Sequence, residues 1–279
     1  MGTEKNDIVM VASDFSEFAE CAIGHAIGIA KLLNYKLYVV HIWNKKKAKY
    51  SLEEAEDKLK SIVSDIKEKE KIETEYVARE GNIFTTIGEI AVEIGANILT
   101  MGTRGKTGVQ YIFGSYALKV VQSSPVPVIV VQTGNYRGSY SNVVMPIDES
   151  VYSKQKVKWA FWVAKKFKSK IHIFGKYDSD EFLSKKIMNN CYQIKKIFDQ
   201  NDIEYTLTIS DGKGGNFSKQ SINFASKVNA DMILIMTSPD SLLPGFIIDD
   251  HDEQIILNAA QIPIMCINPL DLDIQIVGL

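Results

Sequence analysis

Residues 102–115 read Gly102-Thr103-Arg104-Gly105-Lys106-Thr107-Gly108-Val109-Gln110-Tyr111-Ile112-Phe113-Gly114-Ser115. They follow an apolar run, Ile98-Leu99-Thr100-Met101, and precede Tyr116 to Val121, whose apolar spacing suits a helix. Glycines between a strand and a helix N-terminus let backbone N–H groups approach an anion, and the helix end adds favourable partial charge. Arg104 and Lys106 would add full charges, and Ser115 could cap the helix or donate to a phosphate. The same glycines would also serve a tight structural turn. Two known phosphate motifs are excluded. Gly105-Lys106-Thr107 supplies the end of a P-loop, but the required first glycine falls on Thr100, and G-x-G-x-x-G does not occur.

Other candidates carry less chemistry. Asp14 follows the apolar run Ile8 to Ala12 and precedes Phe15-Ser16-Glu17, where an aspartate could cap a helix or face a ligand. Asp148, followed by Glu149-Ser150, fits the capping role equally well. His41 and His172 lie in or beside apolar strand runs that favour core hydrogen bonds, and His25 sits on a helix. His251 stands among Asp249, Asp250, Asp252 and Glu253, but so many ligands in successive residues cannot all face one ion from a helix. Lys45-Lys46-Lys47 reads as a solvated turn. No nucleophile–base constellation stands out, so neither catalytic nor metal-binding residues are assigned.

The elements that would position these residues alternate short apolar runs with longer amphipathic ones, the pattern of α/β units around a parallel sheet. Strands are expected near 7–13, 36–42, 73–79, 97–102 and 126–131, and helices near 16–33, 51–70, 82–95 and 115–123. The pattern then recurs. Shifted by 134, Val9 to Asp14 lies over Val143 to Asp148, Leu37 to Val40 over Ile171 to Phe174, and Gly81-Asn82-Ile83 over Gly215-Asn216-Phe217. Near the end the offset becomes 136, with Pro127-Val128-Ile129 over Pro263-Ile264-Met265. A constant offset over so long a stretch implies a duplicated domain: 1–134 and 140–279, joined by a linker within Gln132 to Ser141. The final strands of the two copies are the expected contact, as in a homodimer folded into one chain.

The copies diverge where phosphate would sit. Gly102, Gly105, Gly114 and Ser115 become Met236, Pro239, Asp250 and His251. Acids at that helix start suit its dipole but repel a phosphate, so the second copy is expected to keep the fold and lose the anion site.

The stretch Gly102, Gly105, Gly114, Ser115 resembles the G-x2-G-x9-G-[ST] pattern of ATP-binding members of the universal stress protein family, with eight residues in the second spacer in place of nine. Ile8 to Glu17, Leu37 to Trp43 and Pro125 to Val131 are similar to the family's opening, second and last strands. The resemblance implies two repeated Rossmann-like domains, each a five-stranded parallel sheet with helices on both faces. It also implies a site for ATP or AMP, with or without Mg2+, formed by Ser13, Asp14, Ile42, Gly102, Arg104, Gly105, Gly114, Ser115 and Tyr116. In it Asp14 lies beside the adenine, and a main-chain group at Ile42 contacts the base. Three readings compete: a stress-response nucleotide binder with a structural second domain, a nucleotide-free interaction module of the same fold, and an adenine-nucleotide α-hydrolase. The last lacks its S-G-G-x-D-S loop, since Asp14-Phe15-Ser16-Glu17 stands there. Nothing is placed to activate water, so hydrolysis would be slow and incidental.

The chain has 279 residues, 46% hydrophobic, enough for two full cores. Thirty-two basic against 34 acidic residues give no pull toward nucleic acid or anionic membrane. No 18-residue apolar stretch occurs, the start Met1 to Asp7 is polar, and Cys21, Cys191 and Cys266 form no CxxC pair, so a reduced cytoplasm is the expected setting. A further homodimer is left open.

Overall fold

Ile8, Met10 and Val9, Val11 alternate in sequence, and all four are buried, so β1 (Ile8–Ala12) is covered on both faces. The computed structural model describes residues 7–103, 114–133, 138–150, 153, 155–237, 255 and 258–269, with the side chains of 114–116 excluded. After β1 come α1 (Glu17–Leu33), β2 (Lys36–Trp43), α2 (Leu52–Glu70), β3 (Thr74–Glu80), α3 (Ile83–Ile94), β4 (Ile98–Gly102), α4 (Gly114–Ser123) and β5 (Val128–Val131). The second half contributes β6 (Asn142–Ile147), α5 (Lys156–Phe167), β7 (Lys170–Gly175), α6 (Glu181–Gln200), β8 (Tyr205–Ile209), α7 (Phe217–Lys227), β9 (Met232–Met236) and β10 (Ile264–Ile267).

Local chemistry sets the boundaries. Ser51 and Glu54 form a reciprocal capping box at the start of α2. Gly95 ends α3 in the left-handed region at φ 69°, its N–H reaching the carbonyls of Ala91 and Val92. Asn229, its counterpart after α7, also has positive φ, 51°. Two expected caps differ. Ser16, not Asp14, caps α1 by accepting from the Ala19 N–H. The helix α4 begins at Gly114, which puts Ser115 inside the first turn rather than at the cap.

All described strands form one sheet in the order β3-β2-β1-β4-β5-β10-β9-β6-β7-β8. Neighbours run parallel except β5 and β10, which meet antiparallel with Ile129 opposite Met265. Read from its own outer edge, the second half repeats the first half's order. Alternating strand residues feed two cores. One contains α1, α2, α5 and α6 residues, the other residues of α3, α4 and α7, so helices cover both faces.

The join between halves is also polar and reciprocal. Gln132 Nε2 donates to the Asn258 carbonyl at 2.9 Å. Asn268 Nδ2 donates to the carbonyls of Val121, Gln122 and Ser124 at 2.7, 3.1 and 2.9 Å. Gln132 and Asn268 are related by the 136 offset, as are Gln122 and Asn258, so each half's last strand ends in an amide that holds the other half. On the opposite face His25 Nδ1 meets the buried hydroxyl of Tyr140 at 2.8 Å, tying α1 to the chain just before β6. Gln132 and Tyr140, both within the expected linker, are therefore core residues.

Candidate functional site

Sheets of this type bind ligands beyond the carboxyl ends of strands where the strand order reverses, and in the first half that point lies between β1 and β4. Ser13 is buried there, its N–H donating to Val40 at 2.8 Å and its carbonyl taking His41 Nδ1 at 2.8 Å. Asp14 follows, exposed. Its Oδ1 accepts from the Ser16 N–H and hydroxyl at 3.0 and 2.5 Å, an Asx-type turn that releases the chain into α1. Because Val40 turns its carbonyl toward β1, the alternate residue Ile42 turns its peptide edge the same way, past the end of β1. Asp14 and the Ile42 main chain thus share one end of the sheet.

Phe15 was not expected to matter. It holds φ at 62°, a conformation costly for a bulky side chain, of order 1–3 kcal/mol. Its ring lies 4.6 Å from His41 and 6.1 Å from Tyr50, and Lys58 Nζ stands 4.4 Å from the Tyr50 ring and 5.9 Å from that of Phe15. An aromatic cluster with a cation over it therefore flanks Asp14. A Phe15-Ser16 pair after an aspartate carries no periodic signal, and Tyr50 and Lys58 come from a loop and a polar helix face.

Gly102 ends β4, and packing explains its identity: a Cβ there would lie 2.1 Å from the Phe18 carbonyl oxygen. Thr103 Oγ1 is buried without a hydrogen-bond partner among the described residues. Arg104 and Gly105 lie outside the described residues. Gly114, Ser115 and Tyr116 open α4, so the chain leaves β4 at this sheet end and re-enters as a helix N-terminus.

The second half differs at matching positions. Asp148 Oδ1 accepts from Ser153 Oγ at 2.5 Å and the Ser150 N–H at 3.0 Å. Burial pushes its carboxyl up, but nearby Lys156, Ser153, the Ser150 N–H and Lys176 outweigh this and hold it below its ordinary value. Lys156 is buried and donates to the Pro146 carbonyl at 2.5 Å. Lys176 sits 3.0 Å from Glu149 and 3.4 Å from Asp178. Around these groups lies a cavity of about 590 Å³, walled by Pro146 of β6, by Lys176 and Tyr177 just after β7, by Ile235 and Met236 of β9, and by the turn before α7. The sequence signal for it was available: Ser153 and Lys156 replace Ala19 and Ala22 under the 134 offset.

The other histidine is a core group, with His172 bonded to Thr206 Oγ1 and Asn142 Oδ1 at 2.9 and 3.0 Å. Lys45 to Lys47 form an exposed turn closed by Asn44. His251 lies outside the described residues. Among the described residues no three His, Cys, Asp or Glu side chains are grouped to hold a metal, and no helix is long and apolar enough to cross a membrane.

Comparison with known proteins converges on one family. The model of the universal stress protein family matches residues 5–132. A universal stress protein of Methanocaldococcus jannaschii is 30% identical over 139 residues, 44% of this chain and 81% of that protein. The crystal structure of a universal stress protein from Archaeoglobus fulgidus superposes with a TM-score of 0.76 at 17% identity, covering 95% of this chain and 99% of its own. A Pseudomonas aeruginosa protein of unknown function gives 0.67 at 13% identity, covering 94% and 92%. The latter two likenesses concern the fold, while the sequence match over Asp14 and the glycine segment concerns descent. The chain belongs to the universal stress protein family.

Proposed function

We propose that this protein binds an adenine nucleotide, ATP or AMP, in residues 1–134, and that residues 140–279 form a second, diverged copy of the same unit. The observation that carries the reading is the convergence of Asp14, the peptide edge of Ile42 and the end of β4 at one sheet end. From there a segment with Arg104, Lys106 and no acid leads to the N-terminus of α4. Asp14 would accept hydrogen bonds from the nucleoside and Ile42 would meet the base edge. Backbone N–H groups from Gly102 to Gly105 and at Gly114-Ser115-Tyr116 would hold phosphates, with Arg104 adding charge. Ser13 acts by fixing the turn that presents Asp14. Mg2+, where present, would travel with the phosphates, since no described cluster is built to keep it. The product of binding is a nucleotide-dependent state rather than a reaction, because no described residue is set to activate water.

Native mass spectrometry of the purified chain tests this. The expected spectrum carries one adenine nucleotide per chain, or acquires one on addition of ATP or AMP. A spectrum that stays free of nucleotide at millimolar ATP and AMP supports the interaction-module reading instead.

A further inference from the structure

The chain is close to neutral as a whole, but that balance conceals a local excess of charge. Between Glu149 and Asp178 the sequence carries no acid, and every cation there is a lysine. Helix α5 lies in the middle of this stretch, with Val157, Ala160, Val163, Ala164 and Phe167 buried on its core side. Its outward side brings Lys158, Lys165 and Lys166 together with Trp162 at helical spacing, flanked by Trp159 and Phe161. The lysines are exposed, as is Lys168 just past the helix, and the three aromatics are half-buried. We propose that this face of α5 docks the protein onto an anionic phospholipid surface.

The fold does not require such a face, as the other copy shows. Under the 134 offset Lys158, Trp159, Phe161, Trp162, Lys166 and Lys168 replace Gly24, His25, Ile27, Gly28, Leu32 and Asn34. A Cβ built on Gly24 meets no atom within 4 Å, so nothing packs on α1 at the position that Lys158 holds on α5. Nor are the lysines spent on acids. Lys165 donates to the Asn201 carbonyl at 2.8 Å and stands 5.7 Å from the Phe161 ring, while Lys166 stands 5.7 Å from the Tyr35 ring. Neither they nor Lys158 and Lys168 form an ion pair among the described residues. The bordering acids Glu70 and Glu204 are held by Lys31 and Lys170. Asp7, at the Tyr35 hydroxyl, and Asp202, next to Asn201, are left against the four lysines.

The chemistry of the face selects its occupant. Lysine is a hydrated point charge on a flexible stem, which suits a diffuse anionic layer. Recognition of single phosphates or carboxylates favours the planar fork of arginine, which this stretch lacks. Tryptophan prefers the boundary between apolar and polar surroundings, and Trp159 and Trp162 meet edge to face, 6.0 Å apart, among the lysines. Lys165 covers the face of the Phe161 ring on which a nucleobase would stack. Because the apolar stripe of α5 is used in the core, the contact is adsorption onto headgroups and not insertion.

The test is flotation of the full chain with phosphatidylcholine vesicles, with and without phosphatidylglycerol, at low and at high salt. Binding is expected only with phosphatidylglycerol and should fall steeply as salt rises. Lys158→Gln with Lys166→Gln, both at exposed positions, should weaken it about fivefold per lysine and roughly 25-fold together. Lys219→Gln with Lys227→Gln removes the same charge from α7, on the opposite face of the sheet, and should leave binding unchanged. Quenching of tryptophan emission by brominated phosphatidylglycerol should drop in Trp162→Phe. The proposal is overturned if phosphatidylglycerol vesicles do not float the chain at low salt, if the α5 pair binds as the unsubstituted chain does, or if the α7 pair weakens binding as much. Binding of polyuridylate or polyglutamate that the α5 pair loses, with vesicles ignored, assigns the face to another polyanion and equally overturns it.

Discussion

Asn268 ends β10 with its amide nitrogen against three carbonyls at the end of α4, and its Oδ1 accepts from Thr237 Oγ1 at 2.7 Å. Helix C-terminal carbonyls lack intrahelical partners, and α4 uses the other half of the chain to supply them. Asn268→Ala removes both N–H donors. Each lost hydrogen bond costs about 1 kcal/mol, and the carbonyls left partly buried raise this, so the expected loss is roughly 2–3 kcal/mol. For a chain of this size that lowers the melting midpoint by about 3–5 °C. Asn268→Asp keeps the shape but turns acceptors toward acceptors, and should cost more than the alanine. The assay is urea unfolding at neutral pH with thermal melts alongside, giving the order wild type, then Ala, then Asp. An aspartate variant at least as stable as the alanine variant, or both within about 0.5 kcal/mol of wild type, would refute the bracket.

Gly102→Ala should destabilise by about 1–3 kcal/mol, because its methyl meets the Phe18 carbonyl and not a mobile side chain; denaturant midpoints measure this, and an unchanged midpoint contradicts it. Burial, aided by Lys170, holds His172 below its ordinary value. Its folded pKa is thus depressed relative to the unfolded chain, and stability present above about pH 6.5 is lost as pH falls below it. His172→Gln should flatten stability measured between pH 7 and 5, whatever its absolute effect, and an unaltered slope counts against the assignment. One residue inserted after Gln110 restores the nine-residue spacer and should leave ATP affinity equal or tighter. The expectation is that the missing residue is not one that touches phosphate, and loop entropy hardly changes with one residue. Weaker binding after insertion would place the deletion at the phosphate contacts.

The fold was legible because both faces of each central strand are buried, which produces continuous apolar runs such as Ile8 to Val11 and Val128 to Val131. Strand and helix boundaries fell within a residue or two of expectation. The meeting of β5 and β10 was the expected contact, and its antiparallel direction is seen only in the structure. Caps were read less well: Asp14 and Ser16 are both capping residues by type, and only the geometry shows that Ser16 reaches Ala19 while Asp14 holds Ser16. The cavity of the second half was missed for a physical reason. The change from Gly102 and Gly105 to Met236 and Pro239 bears on the anion site and not on this cavity, whose walls come from strand ends and from the turn at Gly215, where φ is +104°. Buried polar residues at positions held by alanine in the other copy are the better signal, as Ser153 and Lys156 show. His25 and Tyr140 lie 115 residues apart, and no local pattern could have paired them.

The central claim is one phosphate-recognising site per chain, in the first half. Calorimetric titration of the full chain with ATP measures it directly. The account predicts a stoichiometry of one ATP per chain, with binding abolished by Gly114→Asp, which puts a side chain and a negative charge at the first residue of α4. Two equivalent ATP sites per chain, or ATP affinity unchanged by Gly114→Asp, would contradict it.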